Sequence, residues 1–576
     1  MYKQIKDLAF KYHQDTIKQR RDFHHYAERG WLEIRTACQI ATTLEELGYG
    51  VLVGKEIMDK DARMGLPPET IFNLNYLRAK KEGANPKYLE KVKNGMTAVA
   101  GVLKKGDGPV VAIRFDIDAL GLVEDSTDGH YPLQEGFSSC HLGAMHACGH
   151  DGHASIGLTT ARILMELSEH LHGTLKIIFQ PAEEGVRGAK SICESGFLDD
   201  VDYIYAAHIM PRDDDYDLYF GMNESFATTK LDVIYHGVST HAAESPQFGK
   251  NALLSAANCI INLHSIPRNS DGQTRVNVGT VHAGTGRNVV PDTAKLEIEV
   301  RGVTSELNRY MEIYARDIIN ACALMHDTVV EIKQMGKAFA LNCDEDFMNQ
   351  IRTLCQKEMP DLKLPPENLS PLGGSDDFSY MMEYVQVHGG KATYMKLLTD
   401  ITASPHNTSF DFNEEVLNKF SENDEGKVLY DNKPLSSDNL WHGTQAEYDA
   451  LGEYDENKTY IITDSNEEAD LSEVVIDDTS TTAINKTWSA KKINESIPNS
   501  DDFVQNLKMW STGDIETLAL ESVSGLVTIS SAVTGMPIDS AAWIGTVNAT
   551  STHRQISVQP FGNSSLLYSK IYNAST

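Results

Sequence analysis

The chain is 576 residues long, with a formal net charge of -31 and eight cysteines. This length is enough for about three or four domains. The negative charge argues against general electrostatic binding to nucleic acid or to an anionic membrane surface, and the chain lacks a run of about eighteen apolar residues that would predict a membrane span.

The first residues are polar and charged in a helix-like pattern, so no secretory signal is predicted. All eight cysteines lie at or before Cys355, at irregular spacing. That usage favours a reducing cytoplasm over a disulfide framework.

Two buried strands with a helix between them are predicted over residues 110–179. The continuous apolar runs Val110–Phe115 and Leu175–Phe179 are typical of strands buried on both faces. Apolar residues recur at helical spacing over Gly152–Leu171. The order predicts a βαβ unit, and open α/β sheets bind their ligands at the carboxyl ends of such strands.

Residues suited to metal chemistry follow these strands. His146-Ala-Cys-Gly-His-Asp151 supplies a thiol and two imidazoles ahead of the helix. Gln180-Pro-Ala-Glu-Glu184 supplies two glutamates, of which one can bind metal while the other takes a proton from water. A third apolar strand, Val201–Ala207, leads to His208, a further candidate ligand. Either motif alone is more often structural or surface sequence, but together, in this order, they predict a two-metal hydrolase site.

From about Gln19 to Leu417 the chain resembles the M20 metallopeptidases, in their amidohydrolase branch. The resemblance includes the segment Arg20-Arg-Asp-Phe-His-His-Tyr-Ala-Glu-Arg-Gly-Trp31, the stretch Arg63-Met-Gly-Leu-Pro67 and the metal loop above. It implies metal ligands at Cys148, His150, Glu184, His208 and His406. The implied cofactor is a pair of divalent ions, manganese or zinc, and the mixed ligand set does not choose between them.

The same resemblance implies roles for four further residues. Glu183 is the expected general base, and His241 is expected to stabilise the oxyanion, often across a dimer interface. Asn288 and Arg301 match positions that bind the carboxylate of the substrate. The expected activity is hydrolysis of the amide bond of an N-acyl amino acid, p-aminobenzoyl-glutamate above all.

One motif departs from the family pattern. Gly374-Ser-Asp-Asp-Phe378 has Asp376 where relatives usually carry Glu. Because Asp is one methylene shorter, a bond made near the metals by the longer side chain is expected to be lost or bridged by water. We expect weaker activity with an intact fold.

The predicted fold class is α/β and has three parts. A zinc-peptidase-like catalytic domain, with a central mixed sheet flanked by helices, is expected from residues 1–226 and 338–420. A two-layer α/β domain that serves as lid and dimer surface is expected at 227–337, with strands at 231–235, 276–281 and 294–300 and helices at 251–264 and 305–325. An acidic, β-rich tail is expected at 421–576, with short β-like runs such as 459–463 and 525–530.

The tail differs in composition from the rest of the chain. From Ser421 onward it has 24 acidic and 9 basic residues, a net of -15 by subtraction, and no cysteine. The segments Leu440–Thr463 and Ile484–Ile493 resemble parts of phage tail and baseplate proteins. The alternatives are an acidic linker with an incidental β-rich module, or an artificial junction of two sequences.

Two other functional hypotheses stay open at this point. The chain could be a phage adhesion protein that carries a passenger hydrolase domain, or an enzyme that is inactive without a homologous partner subunit. The expected partners are a small N-acyl amino acid and a second subunit, in a homodimer or heterodimer, with no nucleic acid and no membrane. The expected location is the cytoplasm.

Overall fold

A computed structural model describes residues 2–212, 215–223, 225–360, 362–365 and 374–418, and beyond these only a set of short strands. The chain divides into two compact units, Met1–Asp424 and Glu425–Thr576. Each unit is described separately.

The helices of the first unit are α1 (Tyr2–His25), α2 (Ile34–Leu47), α3 (Glu69–Lys81), α4 (Pro86–Leu89), α5 (Tyr131–Gln134), α6 (His150–Glu166), α7 (Ala189–Cys193), α8 (Ala252–His264), α9 (Ser305–Met325), α10 (Glu345–Glu358) and α11 (Phe378–Val387). Its strands are β1 (Gly50–Val53), β2 (Val99–Lys105), β3 (Val110–Asp116), β4 (Gly173–Gln180), β5 (Tyr203–Pro211), β6 (Leu218–Tyr219), β7 (Ala227–His236), β8 (Thr274–Ala283), β9 (Thr293–Gly302), β10 (Val329–Ala338) and β11 (Lys391–Thr399).

A seven-stranded mixed sheet forms the core, in the order β1-β2-β4-β3-β5-β11-β6. Strands β4, β3, β5 and β11 are parallel, while β2 and β6 run antiparallel to their neighbours. The three apolar runs therefore lie side by side at the centre, as the βαβ pattern predicted. Two bounds differ from the prediction: β5 continues to Pro211, so His208 lies within the strand, and α6 ends at Glu166.

Close packing holds α6 against the central strands β3 and β4. A Cβ on Gly157 would lie 2.7 Å from the ring of Phe179 and 2.8 Å from that of Phe115. Because glycine stands there, the helix backbone approaches these two stacked rings directly. Gly149, with φ 86, turns the chain into the helix, so that His150 is its first residue.

A second sheet, antiparallel throughout, has the order β10-β7-β9-β8. Alternate residues of β9 are buried against α8 and α9, namely Ala294, Leu296, Ile298 and Val300. The remaining residues of β9 form a polar outer face. The strands predicted at 231–235, 276–281 and 294–300 are present, and so are the helices at 251–264 and 305–325. Strand β10 was not predicted, and the division into catalytic and lid domains stays a prediction.

Helices of the described residues are each too short or too polar to cross a membrane. In the second unit, the largest sheet has five short strands: Leu507–Trp510, Gly525–Ile529, Trp543–Ala549, His553–Pro560 and Tyr568–Asn573. The β-like run at 459–463 coincides with the strand Thr459–Ile462. The predicted acidic linker between the two units falls almost entirely outside the described residues.

Candidate active site

Two histidines, His150 at the start of α6 and His208 within β5, have ligand atoms within 4.8 Å of each other. Nδ1 of His150 donates to the carbonyl oxygen of Asp118 at 2.8 Å, and Nδ1 of His208 donates to that of Ile209 at 2.7 Å. These bonds engage Nδ1 and leave Nε2 as the candidate ligand atom of each ring. Nε2 of His208 lies 3.6 Å from Sγ of Cys148, whereas Nε2 of His150 is buried without a hydrogen-bond partner among the described residues.

Asp118 holds the backbone of the two glutamates in place. The amide N–H groups of Glu183 and Glu184 donate to the two carboxylate oxygens of Asp118 at 2.9 and 3.0 Å. This arrangement fixes the direction of both side chains. An Oε2 atom of Glu183 lies 3.9 Å from Nε2 of His150. Oε1 of Glu184 is buried, accepts no hydrogen bond from the described residues, and lies 3.5 Å from Nε2 of His406.

His406 reaches the site from a distant part of the chain. It has a left-handed backbone, with φ 67, and its N–H donates to the carbonyl of Ala147 in the metal loop at 2.7 Å. Ligand atoms of Cys148, Glu184 and His406 all lie within 4.8 Å of one another, and so do those of His150, Glu183 and Glu184. The structure thus brings six of the predicted site residues together: Cys148, His150, Glu183, Glu184, His208 and His406.

Burial and neighbouring negative charges raise the pKa of two carboxyl groups in this cluster. Burial and the charge of Asp376 raise the pKa of Glu183 well above its usual value. Burial, together with Asp118 and Asp116, raises the pKa of Glu184 to about 7. Several carboxylates in one buried place repel each other, and a divalent cation between them removes that repulsion.

The donor set fits such a cation. Burial lowers the pKa of His208 well below its usual value, so its ring is neutral and its Nε2 lone pair can coordinate. The unpartnered atoms on His150 and Glu184 add an imidazole nitrogen and a carboxylate oxygen. Burial raises the pKa of the Cys148 thiol, so that thiol coordinates as a thiolate when a metal displaces its proton.

Sequence reasoning did not assign a role to two residues that build this site, Asp118 and His153. Asp118 positions both glutamates, as described above. His153 donates from Nδ1 to Asp116, and its Nε2 accepts the N–H of Ile209 at 2.9 Å. Both nitrogens of His153 are therefore engaged by the protein, and the residue supports Asp116 and β5. Its position three residues after His150 on the same helix was the signal available in the sequence.

Both carboxylate oxygens of Asp376 accept hydrogen bonds, although its side chain is shorter than that of Glu. Its Oδ1 accepts from Nη2 of Arg114 at 3.1 Å and from the N–H of Phe378 at 2.8 Å, and its Oδ2 accepts from the hydroxyl of Tyr394 at 2.7 Å. The carboxylate also lies within 4.8 Å of those of Glu183 and Asp377. The substitution therefore keeps a negative charge beside the expected base. Its effect on activity stays a prediction.

The other three predicted site residues lie apart from the cluster, around the second sheet. His241 is exposed, and its Nδ1 accepts the N–H groups of Ala243 and Glu244 at 3.3 and 3.1 Å. The carbonyl of Asn288 accepts the N–H of Ala242, next to His241, at 3.0 Å. Arg301 lies on β9 and pairs with Glu299 at 3.0 Å. Among the described residues, the contacts do not join these three to the metal-ligand cluster.

A known protein family matches the part of the chain that carries this site. The model of peptidase family M20/M25/M40 matches residues 112–422. The chain belongs to this family. The family and the α/β fold class predicted from the motifs are confirmed. The match ends at the start of the tail, whose resemblance to phage proteins stays a prediction.

Curated relatives and a solved structure agree with the family match. The chain is 44% identical over 400 residues to indole-3-acetyl-aspartic acid hydrolase of Enterobacter agglomerans. The aligned residues cover 69% of this chain and 91% of that protein. It is 42% identical over 399 residues to one of the subunits of p-aminobenzoyl-glutamate hydrolase from Escherichia coli (strain K12), with the same two coverages. The crystal structure of the aminobenzoyl-glutamate utilization protein from Klebsiella pneumoniae superposes with a TM-score of 0.63 at 35% identity, covering 72% of this chain and 95% of that one.

Proposed function

We propose that this enzyme hydrolyses the amide bond of N-acyl amino acids whose amino acid is acidic, with p-aminobenzoyl-glutamate as the substrate and p-aminobenzoate and glutamate as the products. The observation that carries the proposal is the buried cluster in which His150 and Glu184 present unpartnered ligand atoms next to Glu183. Two relatives that are more than 40% identical act, by their names, on conjugates of aspartate and glutamate.

Two divalent ions, manganese or zinc, form the proposed cofactor. Cys148, His150, Glu184, His208 and His406 would hold them. When bound, the ions polarise the amide carbonyl and lower the pKa of water near the scissile bond. The mixed donor set suits both metals, so the choice between them depends on availability in the cell.

Glu183 is the proposed general base. Its side chain is buried, its backbone is fixed by Asp118, and it faces His150 across 3.9 Å. Burial and Asp376 raise its pKa, which makes the carboxylate a stronger proton acceptor than an exposed Glu. It would take the proton of the attacking water and then deliver that proton to the leaving nitrogen.

His241, Asn288 and Arg301 complete the proposed site. His241 would donate a hydrogen bond to the oxyanion that develops on the amide carbonyl. Asn288 and Arg301 would hold the carboxylate of the amino acid. His241 and Asn288 lie apart from the ligand cluster, so they would act after the second sheet closes over the substrate or from a neighbouring protomer, whereas Arg301 would act from the outer face of β9. A homodimer and a heterodimer with a homologous chain both satisfy this requirement, and the Escherichia coli relative is itself named as one subunit of its enzyme.

The proposed location is the cytoplasm. All eight cysteines are free thiols, which suits a reducing compartment.

The test is an assay of the full chain loaded with Mn²⁺ or Zn²⁺ against p-aminobenzoyl-glutamate, indole-3-acetyl-aspartate and N-benzoyl-glycine. We expect metal-dependent hydrolysis of the two acidic conjugates. A chain that is active after addition of a homologous subunit supports the heterodimer. A metal-loaded chain that cleaves none of the three, alone or with that subunit, would falsify the proposal.

A further inference from the structure

The outer face of the second sheet carries two positively charged side chains close together, Lys230 and Arg301. Across the antiparallel pair β7–β9, Thr228 is opposite Arg301 and Lys230 is opposite Glu299. These four residues share the face that points away from α8 and α9, because side chains alternate along each strand. Diagonal neighbours on one face of a sheet lie within reach of long side chains, so Lys230 and Arg301 can act on one ligand.

The protein already holds a carboxylate between these cations. Oε1 of Glu299 lies 3.0 Å from Nη2 of Arg301 and 4.0 Å from Nζ of Lys230, and it accepts the hydroxyl of Thr228 at 3.1 Å. Because both cationic nitrogens approach the same oxygen, the distance between them cannot exceed the sum of 3.0 and 4.0 Å. A short dicarboxylic amino acid has its two carboxylates at a comparable separation.

Lys230 interacts only weakly with Glu299. A distance of 4.0 Å is longer than a hydrogen bond, so its ammonium donors stay available to a ligand. The side chain is 35% exposed, and the pair with Glu299 is of the solvent-screened kind that contributes little to stability. Arg301, in contrast, donates a hydrogen bond of 3.0 Å to Glu299.

Backbone contacts place Lys230 next to the proposed metal ligands. Across the β7–β10 pair its register partner is Gly336, where a Cβ would lie 2.0 Å from the carbonyl oxygen of Gly185. Gly185 directly follows Glu184 in the chain. The next residue of β10, Lys337, donates its N–H to Val186 at 2.9 Å.

We propose that Lys230 is a specificity residue that binds the side-chain carboxylate of an acidic N-acyl amino acid while Arg301 holds its α-carboxylate. This assignment rests on the proposed function. It makes the enzyme selective for aspartate and glutamate conjugates, because a carboxylate accepts a charge-assisted hydrogen bond from the ammonium and a neutral side chain makes a weaker one.

The test compares two substrates that differ in one charge, p-aminobenzoyl-glutamate and p-aminobenzoyl-glutamine, with the metal-loaded full chain. The readout is the ratio of their kcat/KM values. In Lys230→Met that ratio is expected to fall roughly 10- to 100-fold, the effect of one charge-assisted hydrogen bond. Lys230→Arg, which keeps the charge, is expected to restore most of the ratio. A variant that damages the fold lowers both kcat/KM values and leaves their ratio in place.

Lys295 offers a matched control. It lies on the same outer face of β9 but pairs with Asp232 at 2.9 Å and Glu297 at 3.0 Å. Lys295→Met is expected to keep the wild-type ratio. An unchanged ratio in Lys230→Met overturns the assignment and leaves the proposed function standing. A wild-type enzyme that does not prefer the glutamate conjugate overturns the assignment and the restriction to acidic amino acids, and leaves hydrolysis of p-aminobenzoyl-glutamate standing. A wild-type enzyme that cleaves neither substrate overturns the proposed function and the assignment with it.

Discussion

Replacement of Glu183 by Gln separates the chemistry of this site from its metal binding. The substitution keeps the size of the side chain, and the backbone bond to Asp118 is unaffected because it comes from the amide of residue 183. Gln cannot accept the proton of water. We therefore expect turnover of p-aminobenzoyl-glutamate to fall by roughly 10²–10⁴, or about 3–5 kcal/mol of transition-state stabilisation. Metal content is expected to stay at the wild-type level.

The assay measures release of p-aminobenzoate at saturating substrate, with metal stoichiometry determined on the same samples. The neighbouring variant Glu184→Gln is the matched control, because it alters a proposed ligand and is expected to lose metal and activity together. Turnover of Glu183→Gln within a few-fold of wild type would refute the assignment of the base.

The metal-free protein gives a second measure of the same substitution. Since burial and neighbouring carboxylates raise the pKa of Glu183 in the folded state, the folded state holds its proton more tightly than the unfolded state does. This contribution to stability is present below the unfolded pKa of about 4.3 and is lost as pH rises through the higher folded pKa. Gln has no such proton to lose.

Thermal melts in chelator between about pH 5 and pH 8 are therefore expected to show a smaller loss of stability with rising pH in Glu183→Gln than in wild type. Each pKa unit removed is worth about 1.4 kcal/mol. Parallel curves for the two proteins would show that Glu183 is not the crowded, buried carboxyl that the structure indicates.

Two further predictions concern the ligands and the tail. Cys148→Ala and His150→Ala are each expected to lower metal stoichiometry and activity together, because loss of a ligand opens the site; full metal content in both variants contradicts this. Brief proteolysis is expected to cut between about residues 421 and 440 and to release an N-terminal fragment that keeps its metals. A chain that resists cleavage there, or that loses metal when cut, would show that the tail is part of the enzyme.

The sequence alone was sufficient for the parts of this protein that depend on local pattern. Apolar runs and helical spacing predicted β3, α6 and β4 in order, because a strand buried on both faces and an amphipathic helix leave signals within one short segment. Three of the four strands of the second sheet, and the helices α8 and α9, were also predicted from the sequence. The cysteine, histidine and glutamate motifs predicted a metal site because three of the five proposed ligands, Cys148, His150 and Glu184, cluster in two short segments.

Tertiary structure decided what depends on contacts between distant segments. Asp118 holds the backbone of Glu183 and Glu184, although more than sixty residues separate them in the chain, and no local pattern encodes that bond. The packing of β10 against the loop after Glu184 places Lys230 beside the ligands. In sequence Lys230 is one charged residue on the polar face of a strand. Its partners on that face come from β9, and only strand pairing, which depends on the whole sheet, brings their charges together.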